Sequence, residues 1–542
     1  MAPENGSENK QKIGKADEPE HTYKIGKNVI ETLTSGMYAD SMYIFREYIQ
    51  NAADQIDVAV EERILKSKDD GIIEITIDSD NRKIAIRDNA TGIRENSVLR
   101  FLGDVANSAK DREKRKGFRG IGRLGGLGYC DKLIFETSYS GEPKASIVTL
   151  DAKTLKRLIQ NKDVTLDAAE IIGVITSIEK KDAESDEHFF QVTLEQVSDD
   201  ELLDQEKVRT YLSMVAPVPF YPEPTPENEK EIPKFTFAKK IRKFFEKNNF
   251  KIDEYHVINT TLNDKPIYKG YQNAIFDKEG NVISELIDIE GFTIKDSKKE
   301  LLAIGWYGIS DHLNKMMSVK NIDRAFRIRK DNITIGDQHT LTKFFKEDRF
   351  NYYFKGEIYV IGSSFMPNGR RDYFNDDENK TVKEFEKELA KKFDEFCKLA
   401  RYTSTIQSQY SKIDKYNEAI EEVKEKKENS GWTRVELNEL KENAIKAFNN
   451  LEKVKQKIDE NIPALKVYDN IVDESKFDIL SDSSASVSIN QVKSSNMFIS
   501  LPEKEREIVL IIYEVIEENL PQKQAKQLRI KIVERLEEEY GR

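Results

Sequence analysis

The stretch EYIQNAAD, residues 47–54, decides how this chain is read. At about 100° per residue, Glu47, Asn51 and Asp54 fall within a helical sector of roughly 60°. Phe45, Ile49, Ala52 and Ile56 fall on the opposite side, so the segment is an amphipathic helix. Such a polar face is ordinarily solvated. It becomes the wall of an active site only if other chemistry in the chain converges on it.

The chain has 542 residues, too many for one hydrophobic core, so roughly two to four domains are expected. Charged residues make up 34 % and apolar residues 38 %, the composition of a helix-rich globular protein. The net charge of −12 argues against a general nucleic-acid coat but leaves room for a local basic patch. With only Cys130 and Cys397 there is no disulfide framework and no cysteine-built zinc site. That cysteine usage fits a reducing cytoplasm. No apolar run approaches the ~18 residues of a membrane span, so no membrane partner is expected. The start, MAPENGSENKQKIGKADEPE, lacks an apolar core, and residues 1–22 read as a disordered tail.

Residues 23–68 read as helix, interrupted by a turn or cap at TSGMYADS. Next, Ile73, Ile75 and Ile77 alternate, a turn follows at SDNR, and Ile84 and Ile86 resume the alternation. This is a hairpin ending at Asp88. KLIFETSY, IIGVITSIEK and FFQVTLEQV look like further strands. The proline cluster APVPFYPEPTPE, residues 216–227, closes a first domain at 23–228. Residues 229–378 carry the strand-like segments INTTLN, PIYKGY, LLAIGWYGI, FRIRKDNITIG and GEIYVIG, and read as a second α/β domain. From about 380 apolar residues recur at steps of three and four, with a break at NSGWT, residues 429–433. That pattern predicts an antiparallel helical hairpin or coiled coil over 379–465. A linker is expected at 466–496 and a small helical segment at 497–542. The fold class is therefore α+β, with an all-α C-terminal part.

Chemistry-bearing residues cluster around the opening helix. A carboxylate at a strand end, Asp88, suits recognition of an exocyclic amine, although Asp-Asn is also plain turn chemistry. Gly92 lets backbone approach a flat ligand. GFRGIGRLGGLG, residues 117–128, offers backbone N–H groups that can converge on phosphates. It is not a P-loop. The basic run beside it, KDREKRKGFRG, reads either as a solvated lid or as a nucleic-acid patch.

The order of these pieces resembles the GHKL ATPases, a group that includes histidine kinases, type II topoisomerases, MutL-type and microrchidia proteins, and the ninety-kilodalton heat-shock chaperones. FREYIQNAADQID and IAIRDNATGI are similar to the chaperones' helix and adenine-binding segment. FLGDVANSAK resembles the start of their lid, while GFRG looks more like the MutL version. The resemblance implies a Bergerat-type α/β sandwich that binds ATP and Mg²⁺. It implies that Asn51 offers its amide oxygen to the metal and that Glu47 deprotonates the attacking water. Asp88 would accept from the adenine amino group, and Asp54 would brace its neighbours. Gly92, Asn107, Ser108 and Lys110, with Gly117, Gly120, Gly122 and Gly125 of the lid, would complete the nucleotide site. Homodimerisation and protein clients are implied in the same way.

Two departures stand out. Ala90 occupies the first glycine of the usual D-x-G-x-G pattern. The late-strand Gly-Thr of the chaperones has no clear match, since Val174 follows Gly173 and leaves Thr176 as a nearby candidate. GEIYVIGSSFMPNGRRDYF, residues 356–374, resembles the chaperone middle-domain segment whose arginine reaches the γ-phosphate. This points to Arg371, with Arg370 beside it. A histidine kinase is disfavoured because only His21 precedes the helix. The leading reading is a chaperone-like, ATP-driven clamp. The other is a nucleic-acid-associated GHKL ATPase using the basic lid or the cluster Arg324, Arg327, Arg329 and Lys330.

Overall fold

A computed structural model describes residues 25–34, 40–103, 122–222, 235–250, 257–368, 371–375, 379–426, 432, 434–481, 503–521 and several more to 535. The chain divides into two compact units. The first takes in Met1–Leu212 and Ile258–Ile267, the second Ser213–Val257 and Tyr268–Arg542.

The first unit contains α1 (Asn28–Thr34), α2 (Tyr43–Glu61), β1 (Ile72–Asp78), β2 (Lys83–Asp88), α3 (Val98–Gly103), β3 (Lys132–Ser138), β4 (Lys144–Asp151) and α4 (Ala152–Gln160). It continues with α5 (Ala168–Ile175), β5 (Thr176–Asp182), β6 (Phe189–Glu195), most of α6 (Gln205–Val215), β7 (Asn259–Leu262) and β8 (Lys265–Pro266). Its eight strands form one sheet in the order β5-β4-β3-β6-β2-β1-β7-β8. The hairpin read from alternating isoleucines is β1–β2, with Ile75 opposite Ile86 and Ile77 opposite Ile84. These isoleucines are buried, as are Phe45, Ile49, Ala52 and Ile56 of α2.

Three expectations are corrected here. The helix does not run to 68: α2 ends at Glu61, and Arg63 adopts a left-handed φ of 61° that cannot continue it. IIGVITSIEK is not one strand. Its first half closes α5, which starts on a capping box in which Glu170 N–H donates to Asp167 (2.9 Å) and Asp167 N–H to Glu170 (2.8 Å). Nor does the proline cluster mark a clean boundary. After it the chain returns to lay β7 parallel to β1, covering what would be an open edge. The β7–β8 turn uses Asn263 and Asp264 at φ 47° and 63°. The Asn263 side chain fastens it by accepting from Ile77 N–H (2.8 Å) and donating to Ile77 C=O (3.0 Å).

The second unit holds α7 (Ala238–Lys247), a ribbon of β9 (Ala274–Phe276) and β10 (Val282–Glu285), and the strands β11 (Asp288–Lys295), β12 (Leu301–Ile309), β13 (Ala325–Lys330), β14 (Ile333–Ile335) and β15 (Lys355–Val360). The last five make a sheet in the order β11-β12-β15-β13-β14. Helices α8 (Lys380–Lys426), α9 (Arg434–Ile458) and α10 (Ile462–Ile471) follow, and further on the described residues include a helix at Glu503–Asn519. Bonds from Trp432 to Glu422 and from Asn450 to Gln409 show α8 and α9 to be antiparallel. Phe393 and Phe396 of α8 join Phe292 and Phe326 of the sheet, and Phe354 just before β15, in one aromatic core. The α10 helix extends past 465 into the expected linker and buries Val467 and Tyr468.

Strand β15 of this sheet carries a buried carboxylate. Glu357 is 0 % exposed and accepts from Lys269 (2.9 Å), Tyr359 (2.6 Å), Trp306 (3.3 Å) and Arg329. Burial alone would raise its pKa, but the Arg329 and Lys269 charges overcome this and hold it at about 2. Glu357→Gln would leave two buried cations without their counter-charge, a loss of roughly 3–5 kcal/mol. Opening the exposed Lys180–Glu95 pair with Lys180→Ala should cost under about 1 kcal/mol. Urea denaturation followed by circular dichroism should show that gap between the two variants.

Candidate functional site

The polar face of α2 is not solvated. Glu47, Gln50 and Asp54 are each 3 % exposed, and Asn51 is partly buried. Burying carboxylates is costly unless polar groups surround them. The face is therefore turned inward.

Asp88, at the end of β2, is 4 % exposed and accepts from Ala90 N–H at 3.1 Å. Burial pushes its carboxyl up to about 7, with the Ala90 bond and the Arg87 charge working the other way. The turn after it is clamped on three sides. Ala90 C=O accepts from the Nδ1–H of His188 at 2.8 Å. The Thr91 hydroxyl donates to Gln55 on α2 at 3.2 Å. The Thr137 hydroxyl accepts from Ile93 N–H (2.8 Å) and donates to Phe189 C=O (2.9 Å). Gly92 has a φ of 66°, and a Cβ there would overlap the Ser138 and Phe189 carbonyls. Its smallness thus serves backbone against backbone within the fold.

The described part of the glycine-rich stretch, Gly122–Gly128, is a short 3₁₀ segment lying against α2. A Cβ on Gly122 would overlap the Glu47 carboxylate, and one on Gly125 the Tyr43 hydroxyl. The Tyr48 hydroxyl donates to Arg123 C=O and accepts from Gly126 N–H, each at 3.1 Å. Here the glycines let backbone approach the helix that carries Glu47. Asn107, Ser108, Lys110, Gly117 and Gly120 lie outside the described residues, as does Arg370.

Thr176 does not adjoin Asp88. It opens β5 at the far edge of the sheet, separated from β2 by β4, β3 and β6. The residue in register with Asp88 is Phe190 of β6, and Thr137 of β3 follows in the same row. Local sequence did not point to Phe190, Thr137, Gln55 or His188. FFQVTLEQV was legible as a strand, but its place beside β2 was not.

In the second unit, Arg371 sits in a pinned loop. Pro367 bridges Phe374, Asn368 N–H donates to Tyr373 C=O (2.8 Å), and Gly336 N–H donates to Arg371 C=O (2.8 Å). Arg371 has a φ of 55°, an uncommon conformation for a residue with a side chain. The basic cluster nearby in sequence is largely internal. Arg329 is 0 % exposed and held by Glu357, while Arg327 donates to the carbonyls of Ile322 and Arg324. Lys330 donates to Gly362 C=O. Among the described residues no cluster of three or more His, Cys, Asp or Glu side chains is arranged to hold a metal ion. No described helix is long and apolar enough to cross a membrane.

Residues 44–185 match the family described as histidine kinase-, DNA gyrase B- and HSP90-like ATPases. The chaperone protein HtpG of Clostridium acetobutylicum is 25 % identical over 227 residues, covering 38 % of this chain and 34 % of that protein. HtpG of Nocardia farcinica is 27 % identical over 188 residues, covering 31 % and 28 %. HtpG of Chlorobium phaeobacteroides is 30 % identical over 146 residues, covering 23 % of each. The first unit thus carries a GHKL-type ATPase domain. It resembles those of the ninety-kilodalton heat-shock chaperones. The chain spans about a third or less of the length of these relatives.

The Asp88 carboxyl supplies a test that needs no ligand. Its folded-state pKa is raised, so the neutral form stabilises the fold. That contribution is complete below about pH 4 and is lost as pH rises through about 7. Relative to Asp88→Asn, the wild type should lose up to about 4 kcal/mol of stability across that window, seen as a pH-dependent gap in denaturation midpoints.

Proposed function

We propose that the chain is an ATP-dependent, chaperone-like conformational clamp that hydrolyses ATP and acts on protein clients. The observation that carries the reading is the burial of Glu47 and Asp54 on α2 together with Asp88 at the end of β2, all within the unit that matches the ATPase family. A Bergerat-type sandwich is the architecture this supports. Asp88 accepts from the adenine amino group. Glu47, one helical turn before Asn51, takes the proton of the attacking water. Asp54 braces the neighbouring polar groups, and the glycine-rich stretch follows the phosphates. The neutral amide of Asn51 suits a Mg²⁺ ion that arrives with the triphosphate, which already supplies the negative charge, and such an ion would neutralise charge on the phosphates. Arg371, presented by its pinned loop, stabilises charge on the transferring phosphoryl group.

The domain layout belongs to the same proposal: a nucleotide unit, an α/β middle region, and a helical region after 379. A cytoplasmic setting is proposed with it. The nucleic-acid reading loses support because two members of its basic cluster, Arg327 and Arg329, are buried at 6 % and 0 % exposure. We assign dimerisation to the helix Glu503–Asn519. Its Ile508, Ile511, Ile512 and Val515 recur at helical spacing and are 43–58 % exposed.

Calorimetry and phosphate release test the nucleotide chemistry. Asp88→Asn should lose ATP binding. Glu47→Ala should keep binding and lose roughly 10²–10⁴-fold in turnover. Arg371→Ala should keep affinity within a few-fold and lose about 10²-fold or more in turnover. Equal ATP binding by wild type and Asp88→Asn would sink the adenine assignment. For assembly, light scattering should show a dimer that becomes a monomer when Ile511→Glu and Val515→Glu are combined. A wild type that is already monomeric would refute that part.

A further inference from the structure

The adenine end of the proposed site has a neighbour that no motif marks. Asp88 on β2 and Phe190 on β6 are directly paired, and Phe190 is paired in turn with Thr137 on β3. Directly opposed residues of antiparallel strands project to the same face, with Cβ atoms about 4.5–5.5 Å apart. The rest of that face is closed. Ile86, Phe135, Val192 and Leu194 are each 3 % exposed or less. Phe190 alone among these neighbours is partly exposed. Its ring is nevertheless held, stacked on Phe135 with centroids 5.8 Å apart and planes 27° apart. A fixed aromatic ring that stays partly open beside a buried carboxylate marks where the core ends and a ligand surface begins.

Thr137 does not supply a polar group at this point, because its hydroxyl is engaged by Ile93 N–H and Phe189 C=O. The surface beside Asp88 is therefore apolar and flat on the Phe190 side. We propose that Phe190 is a base-contacting residue of the nucleotide site, its ring packing against the purine whose amino group Asp88 accepts. The inference rests on the reading that the first unit binds ATP. It divides the labour of recognition. Asp88 selects an amino group at the purine edge, whereas Phe190 adds affinity for the aromatic ring and ignores the phosphates.

Titration calorimetry on the full chain tests this, with ATP, adenosine and inorganic tripolyphosphate as probes in the presence of Mg²⁺. Phe190→Leu keeps apolar bulk against Phe135 but removes the flat ring. It should weaken ATP and adenosine alike, by about fivefold or more, in the range of losing a base–aromatic stack. Tripolyphosphate binding should not change. Phe190→Tyr, which keeps the ring, should stay within about twofold of wild type for all three. Unchanged adenosine affinity in Phe190→Leu would overturn the assignment and leave the ATP reading standing. So would an equal loss for tripolyphosphate, which would reveal a general distortion. A wild type that binds neither ATP nor adenosine would overturn the ATP reading itself, and this assignment with it.

Discussion

The second unit is organised around one carboxylate that water cannot reach. Glu357 gathers Arg329 from β13, Lys269, Trp306 from β12 and its own strand neighbour Tyr359. Once held there, Arg329 also donates to Met214 C=O (2.8 Å), Ala216 C=O (3.3 Å) and Asn332 C=O (2.7 Å). One buried anion thus fixes the C-terminal end of α6 and the residue after it, the β13–β14 turn and the middle of the sheet. Such clusters are weak evidence for net stability but impose geometry, because every donor has a single place where its charge is met. The β14 end that pins the Arg371 loop through Gly336 belongs to this same sheet.

The first unit solves a related problem differently. Its buried acids, Glu47, Asp54 and Asp88, sit on elements that would each be ordinary alone: an amphipathic helix and a hairpin. Burial raises the Asp88 carboxyl to about 7, a kind of perturbation that clusters at functional sites. The turn from Asp88 to Ile93 is held by His188, Gln55 and Thr137, so the carboxylate is placed before any ligand arrives. Preorganisation of that kind reduces what binding must spend on ordering.

Much of this was legible from residues near one another in sequence. Alternating isoleucines gave the β1–β2 hairpin, three-four spacing gave α8 and α9, and Glu47, Asn51 and Asp54 gave the helix face. What the sequence did not disclose depends on contacts between distant segments. Nothing local says that β6 lies beside β2, so the spacing in sequence points to Thr176 and not to Phe190 or Thr137. The arginines of FRIRKDN read as a surface patch because their counter-charge, Glu357, lies 28 residues from Arg329. Asp167 and Glu170 did carry a local signal for α5, but the β-branched residues after them concealed it.

The late return of β7 to the first sheet constrains how the protein is made. A chain emerging from the ribosome delivers β1 through β6 in order, yet β1 keeps an unpaired edge until Asn259–Leu262 has been synthesised. Everything between α6 and β7, α7 included, must be translated first. The first unit is therefore not an autonomous N-terminal bead. Its completion waits on sequence that lies beyond the start of its neighbour, which interleaves the maturation of the two units in time.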